Sequence, residues 1–196
     1  MVVGITGASG TAYGIRLLEE LTNLQIESHL VMSKAAELTM AYESDHTPRQ
    51  VRAKASVNHA VNNVAASIAS GSFRTMGMII APCSVRTLAE IATGVTTSLL
   101  TRAADVTLKE RRPLVLLVRE SPLSLIHIRN LAAVTEAGAI VCLPAPAFYN
   151  RPQSLQDVID EGVGRLLDLF GIDSALTNRW TEESADLNPH MQASNN

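Results

Sequence analysis

Cysteine is scarce in this sequence, and its scarcity limits the chemistry that the chain can carry. Only Cys83 and Cys142 occur, without a Cys-x-x-Cys pair or a histidine at ligand spacing, so a metal site has little support. A disulfide is not expected in a reducing compartment. Cys83 directly follows a proline and Cys142 lies two residues before one, each at the end of an apolar run, which is typical of a half-buried packing residue. A catalytic thiol is the alternative.

Three further features are missing from the sequence. No apolar run reaches the roughly 18 residues of a membrane span, and no basic region precedes the first apolar segment, as a signal peptide requires. Lysine and arginine are scattered and the net charge is −3, so no nucleic-acid-binding surface is indicated. We therefore expect a cytoplasmic protein that binds no nucleic acid and has no membrane span.

Short, almost wholly apolar segments alternate with helical patterns along the chain. Strands of this kind, each followed by a helix, are typical of a parallel sheet covered on both faces. The sequence therefore predicts an α/β fold with a single doubly wound domain, Rossmann-like or flavodoxin-like. The first predicted strand begins at Val2, and the later ones cover 26–32, 76–81, 113–118 and 139–143. The predicted helices cover 12–24, 33–43, 88–93, 98–110, 122–137 and 154–170.

Two regions are predicted to lie outside this alternation. Residues 45–64 are more polar, with a short helix starting at Pro48 and a surface segment over 58–63. After Gly171 the composition turns polar, so we expect the domain to span 1–181 and residues 182–196 to form a flexible tail. A chain of 196 residues is long enough for one such domain with a sizeable core.

A turn of small residues follows the first strand. The spacing Gly7-x-x-Gly10-x-x-x-Gly14 differs from the dinucleotide pattern and lacks the P-loop ending, so it favours a mononucleotide over NAD or ATP. Glycines here let backbone N–H groups approach a phosphate at the start of the next helix, and Ser9 adds a hydroxyl. A plain strand-to-helix turn without a ligand is the alternative.

Hydroxyl side chains recur where later strands end. Ser33 is placed to cap the helix after the second strand, and Ser84 and Thr87 follow the strand 76–81. Arg119 follows the strand 113–118. Because the carboxyl ends of parallel strands share one edge of a sheet, these residues are expected to converge on one crevice.

Seven motifs occur in the order seen in one protein family. Over residues 2–180 the chain resembles the UbiX-type flavin prenyltransferases, formerly described as phenylacrylic or hydroxyaryl acid decarboxylase subunits. The motifs are Gly7-Ala8-Ser9-Gly10-x-x-Tyr13-Gly14, Ser33-Lys34-Ala35-Ala36, Ser70-Gly71-Ser72, Pro82-Cys83-Ser84, Arg102-Ala103-Ala104-Asp105-Val106-x-Leu108-Lys109-Glu110, Arg119-Glu120-x-Pro122 and Pro146-Ala147-Phe148-Tyr149-x-x-Pro152.

The resemblance implies a reaction and its partners. In the family, FMN and dimethylallyl phosphate become prenylated FMN and inorganic phosphate, with bonds formed at flavin N5 and C6 and no metal required. The product serves as the cofactor of UbiD-type decarboxylases, and the family assembles as a homododecamer. We therefore expect the binding of FMN and dimethylallyl phosphate at sites near subunit junctions.

The resemblance also implies roles for individual residues. Lys109 and Arg165 are expected to stabilise the departing phosphate, together with Arg119 and the Tyr149 hydroxyl. Glu43 is expected to transfer a proton near flavin N5, with Ser9 as a relay, and Glu120 matches a second acidic position. Trp180 matches an aromatic side chain near the prenyl group. The residues that correspond to the FMN site are Gly7, Ala8, Ser9, Ser33, Ser84, Val85, Arg86, Thr87 and Arg119.

The length of the second helix suggests a further hypothesis. Ten residues at about 1.5 Å each separate Ser33 from Glu43 by roughly 15 Å. We therefore expect Glu43, Tyr149 and Arg165 to enter the site from neighbouring subunits.

Other functions remain open at the level of sequence. One is an FMN-binding carrier or chaperone without transfer activity, and another is direct decarboxylation of an aryl acid. A flavin-dependent cysteine decarboxylase is disfavoured, because Pro144-Ala145-Pro146-Ala147 stands where those enzymes carry an asparagine.

Overall fold

A six-stranded, all-parallel sheet forms the centre of the protein in a computed structural model that describes residues 1–177. The strand order is β3-β2-β1-β4-β5-β6, which is the doubly wound order. This confirms the predicted fold class. The strands are β1 (Val2–Ile5), β2 (His29–Met32), β3 (Val57–His59), β4 (Met78–Cys83), β5 (Leu114–Val118) and β6 (Ile140–Cys142).

Helices cover both faces of the sheet. One buried cluster joins β1 to α1, α2 and α7 through residues such as Leu17, Met40 and Val163. A second cluster on the opposite face joins β4 and β5 to α4, α5 and α6. The helices are α1 (Thr11–Asn23), α2 (Lys34–Glu43), α3 (Pro48–Arg52), α4 (Val85–Thr93), α5 (Leu99–Lys109), α6 (Leu125–Glu136) and α7 (Leu155–Asp168).

The order in which strands are added to the sheet reverses between β1 and β4. From β1 the chain winds outward to β2 and β3 and then returns to β4 on the other side of β1. Loops that leave β1 and β4 therefore part in opposite directions and open a crevice at their carboxyl ends. This crevice lies where the sequence placed its convergent hydroxyl groups.

The edge strand β3 was missed by the sequence analysis, which assigned 58–63 to the surface. Val57 and Asn58 are exposed, so the strand lacks the apolar run by which buried strands are recognised. It is paired with β2 in register, with His29 opposite Val57. The predicted boundary between 181 and 182 lies outside the described residues and stays a prediction.

Close approach of α1 to β4 requires a glycine at position 14. A β-carbon on Gly14 would lie 2.3 Å from the carbonyl oxygen of Ala81 and 2.8 Å from two side-chain carbons of Ile5. Neither the strand backbone nor the buried Ile5 side chain has space to retreat, because both belong to the core.

We expect Gly14→Ala to destabilise the protein by about 1–3 kcal/mol, as overpacked core substitutions do. The clash outweighs the gain of about 1 kcal/mol in helix propensity that alanine brings. Urea unfolding followed by circular dichroism measures the change, and an unchanged or higher midpoint would contradict the packing that is described.

Candidate active site

The crevice between β1 and β4 is a cavity of about 430 Å³ at the carboxyl edge of the sheet. Its wall combines the ends of β1, β2 and β4 with the starts of the helices that follow. The lining residues are Thr6, Gly7, Ser33, Lys34, Ala35, Val61, Ser84, Arg86, Thr87, Glu90, Thr97, Ser98, Leu100 and Thr101.

Three helix N-termini face this crevice, each capped by a serine. Ser33 caps α2, Ser84 caps α4 and Ser98 caps α5. Each hydroxyl accepts a hydrogen bond from the backbone N–H three residues further on, at 3.0, 3.3 and 3.3 Å. The partial positive charge of three helix ends favours an anion in the crevice. The predicted caps at Ser33 and Ser84 are thus present, and Ser98 was not anticipated as part of the site.

Thr6 holds the two central strand ends together. Its buried hydroxyl donates to the carbonyl of Pro82 at 2.7 Å and accepts from the backbone N–H of Ser84 at 2.8 Å. Loss of this buried hydroxyl would leave the backbone N–H of Ser84 without its acceptor, which costs about 1–3 kcal/mol. The Pro82 carbonyl would still accept from the backbone N–H of Thr6 at 3.3 Å. Sequence reasoning missed Thr6, because its partners lie more than seventy residues away.

The glycine turn after β1 binds a carboxylate of the chain itself. The Glu43 carboxylate accepts hydrogen bonds from the backbone N–H groups of Gly10 at 2.9 Å and Thr11 at 3.1 Å, and from the Thr11 hydroxyl at 3.1 Å. The Ser9 hydroxyl also bonds to this carboxylate. Within this chain a carboxylate thus occupies the N–H groups at the start of α1, and the binding of a phosphate there stays a prediction.

Glu43 reaches this turn from the end of the unbroken helix α2 of the same chain. The hypothesis that Glu43 enters from a neighbouring subunit is corrected accordingly. Its hydrogen bonds with Ser9, Gly10 and Thr11 favour the charged form and outweigh desolvation, so the pKa of Glu43 is lowered. At neutral pH this group is a proton acceptor.

A second cavity, of about 360 Å³, lies between the end of β6 and helix α7. Tyr149 and Arg165 both contribute to its wall, so one chain brings these two predicted residues together without a neighbour. The Arg165 guanidinium donates to Asp168 at 2.6 Å. Cys142 also lines this cavity; burial raises the pKa of its thiol, and nearby Arg165 partly opposes the shift.

Arg119 and Glu120 follow β5 at the carboxyl edge of the sheet, as predicted. The backbone N–H of Arg119 donates to the carbonyl of Cys83 at 3.2 Å, and its side chain is exposed. Glu120 accepts from the backbone N–H of Ser121 at 3.0 Å. Arg86 lines the crevice and donates to Glu90 at 3.0 Å. Arg119, Glu120 and Val85 line neither the crevice nor the cavity beside α7.

Lys109 lies at the opposite edge of the sheet. Helix α5 starts at the crevice, and its 11 residues, at about 1.5 Å each, carry Lys109 roughly 16 Å away. There its ammonium group pairs with Glu110 and lowers the pKa of that carboxyl. A single chain therefore does not bring Lys109 to either cavity. Trp180, the predicted aromatic residue, lies outside the described residues.

Cys83 is a packing residue. It is fully buried, and desolvation raises the pKa of its thiol to about 12, so the thiol stays neutral and unreactive. Within residues 1–177, no group of three or more metal-ligating side chains is arranged to hold an ion. None of the helices described is long and apolar enough to cross a membrane.

Comparison with known proteins decides the family. The Flavoprotein family model matches residues 1–179. The flavin prenyltransferase UbiX of Escherichia coli strain K12 is 56% identical over 173 residues, which cover 88% of this chain and 92% of that protein. The chain belongs to the UbiX family of flavin prenyltransferases.

Solved structures of UbiX proteins support this membership. The crystal structure of AnUbiX (PadA1) in complex with FMN and dimethylallyl pyrophosphate superposes with a TM-score of 0.91 at 53% identity, covering 92% of this chain and 96% of that one. A dodecameric FMN-dependent UbiX-like decarboxylase from Escherichia coli O157:H7 gives a TM-score of 0.90 at 46% identity, covering 92% and 98%. The resemblance stated from the seven motifs is confirmed.

The lowered pKa of Glu43 predicts a pH-dependent contribution to the stability of this UbiX-family chain. Because the folded-state pKa lies below the unfolded one, the stabilisation is fully present at neutral pH and is lost as the pH falls through the folded value. We expect Glu43→Gln to be less stable than the unmodified protein at pH 7, and the difference to shrink once the pH drops below the ordinary glutamate pKa of about 4.3.

Urea unfolding at several pH values measures this difference. Glu136→Gln, at the exposed end of α6, is the matched control. A stability gap for Glu43→Gln that is constant with pH, or no larger than that of the control, would contradict the charged assignment.

Proposed function

We propose that this chain is a flavin prenyltransferase. It joins the dimethylallyl group of dimethylallyl phosphate to FMN at N5 and C6 and forms prenylated FMN. The observation that supports the proposal best is the crevice between β1 and β4, because three serine-capped helix N-termini face it in a chain of the UbiX family. UbiX relatives are named for this activity.

The crevice fits the phosphate end of FMN. Ser33 and Ser84 present hydroxyl groups there, and Thr87 adds a third that accepts from Ser84 at 3.1 Å. Backbone N–H groups in the first turns of α2 and α4 point to the same space. FMN supplies the nucleophilic nitrogen and carbon that receive the prenyl group, and reduced FMN is the form that has these electrons available.

The cavity beside α7 fits the allylic phosphate. Arg165 supplies a cation and Tyr149 a phenol at its wall, whereas Leu117, Leu143 and Leu166 supply apolar surface. A departing phosphate carries up to two negative charges, so a guanidinium that it meets as the carbon–oxygen bond breaks lowers the barrier. The apolar surface suits the hydrocarbon part of the donor.

The overall reaction sets what the acid and base groups must do. The carbon–oxygen bond of the donor breaks, bonds form at N5 and C6, and one proton leaves each of these two positions. One of the two protons is returned to the middle carbon of the allyl group, and the other leaves with phosphate. Glu43, held as a carboxylate with the Ser9 hydroxyl bonded to it, is equipped to accept and pass on such a proton.

Lys109 is proposed to act in a neighbouring copy. Its position at the far edge of the sheet keeps it from its own cavities, and a homododecamer with sites at subunit junctions gives it an adjoining site to complete. The dodecameric UbiX-like structure supports such an assembly. The enzyme is proposed to work in the cytoplasm and to pass prenylated FMN to a UbiD-type decarboxylase.

Incubation of the full chain with reduced FMN and dimethylallyl phosphate under anaerobic conditions tests the activity. Mass spectrometry of the released flavin is expected to show an increase by one dimethylallyl unit, together with free inorganic phosphate. FMN that binds but returns with its mass unchanged would instead indicate a carrier. Loss of carbon dioxide from an aryl acid by this chain alone would indicate a decarboxylase.

We expect Lys109→Ala to retain FMN and to lose about 10²- to 10³-fold in kcat, since removal of one group that stabilises transition-state charge has this effect. Lys54→Ala is the matched control, because Lys54 also pairs with a glutamate, Glu19, at 2.7 Å. Flavin absorbance of the purified variant and single-turnover kinetics separate the two effects. Loss of flavin from Lys109→Ala would contradict a role in transfer.

A further inference from the structure

The ring of Tyr13 lies between two glycines from distant parts of the chain. A β-carbon on Gly10 would meet the Cδ2 atom of Tyr13 at 3.3 Å, and one on Gly162 would meet the Cε1 atom at 2.8 Å. The two contacts are on opposite edges of the ring. Tyr13 is therefore held between the turn after β1, which binds Glu43, and the middle of α7.

Glycine at position 162 lowers the stability of the helix that contains it. It lies inside helix α7, Leu155–Asp168, where glycine destabilises a helix by about 1 kcal/mol relative to alanine. The bare backbone at this position gives the Tyr13 ring the space that a methyl group would fill. The packing of the ring against α7 thus accounts for a glycine that helix propensity disfavours.

The same ring forms part of the wall of the cavity that contains Tyr149 and Arg165. At about 360 Å³ this cavity is small, near the lower end of the roughly 300–1,000 Å³ that ligand pockets occupy. Tyr13 lies in the apolar part of this wall together with Leu117 and Leu166. Both leucines belong to the buried core, whereas Tyr13 is only partly buried against it, so the ring can be shortened with less damage to the core.

We propose that Tyr13, held in place by Gly162, is a specificity-determining residue that limits the donor to a single five-carbon unit. The ring occupies part of the apolar wall, so a longer prenyl chain would have to displace it. This inference rests on the proposed function, because it takes the cavity beside α7 as the site of the allylic donor.

A comparison of two donors of different chain length tests the inference. Reduced FMN is incubated with dimethylallyl phosphate or with geranyl phosphate, which carries one further five-carbon unit, and the flavin products are separated by mass. Tyr13→Ala is expected to raise kcat/KM for geranyl phosphate relative to dimethylallyl phosphate by at least about tenfold, which is the scale at which pocket size discriminates apolar groups. Tyr13→Phe keeps the ring and is expected to keep the selectivity ratio of the unmodified protein.

Gly162→Ala tests the same wall from the other side. The new methyl group would lie 2.8 Å from the Cε1 atom of Tyr13, so the ring has to move. KM for dimethylallyl phosphate is therefore expected to rise while FMN binding without donor is retained. Should Tyr13→Ala fail to fold, as judged by its thermal transition, Tyr13→Leu replaces it and Gly162→Ala stands unaffected.

The outcomes separate the two proposals. If the unmodified protein prenylates FMN but Tyr13→Ala or Tyr13→Leu leaves the selectivity ratio unchanged, the inference about Tyr13 is overturned and the proposed function stands. If Tyr13→Phe shifts the ratio as strongly as Tyr13→Ala, the hydroxyl rather than the ring is responsible and the inference is likewise overturned. If the unmodified protein transfers neither group, both proposals fail.

Discussion

The Thr6 hydroxyl is the interaction on which the geometry of the crevice depends. It joins the end of β1 to the end of β4 at the point where the sheet reverses its winding, and it is buried and satisfied as both donor and acceptor. Because its acceptor role is to the backbone N–H of Ser84, it also fixes where α4 begins. One side chain thereby links the centre of the sheet to a cap that lines the site.

The residues proposed for the reaction lie in four separate places. The capped helix ends line one cavity, Glu43 lies at the turn after β1, Tyr149 and Arg165 line a second cavity, and Lys109 lies at the far edge of the sheet. Tyr13 connects two of these places, since its ring touches both the turn of Glu43 and the backbone of α7. Lys109 is brought to neither cavity by its own chain, so its proposed use depends on assembly.

What the sequence could predict depended on the range of the interactions involved. The buried strands and the caps at Ser33 and Ser84 are local features, because apolar runs and serine capping act within a few residues. The partners of Thr6 and the contact of Glu43 with Gly10 join residues far apart in the chain, so no local pattern announces them. The strand β3 was missed because an exposed edge strand lacks the apolar signal.

The Glu43 carboxylate, which accepts hydrogen bonds at the start of α1, also makes the charge around the site uneven. Three helix ends present positive charge on one side of the crevice, whereas the fourth, at Gly10, is neutralised and covered by Glu43. An anionic group is therefore attracted to the three serine-capped helix ends and repelled from the one at Gly10 by the Glu43 carboxylate. These four helix ends make the carboxyl edge of the sheet electrostatically asymmetric.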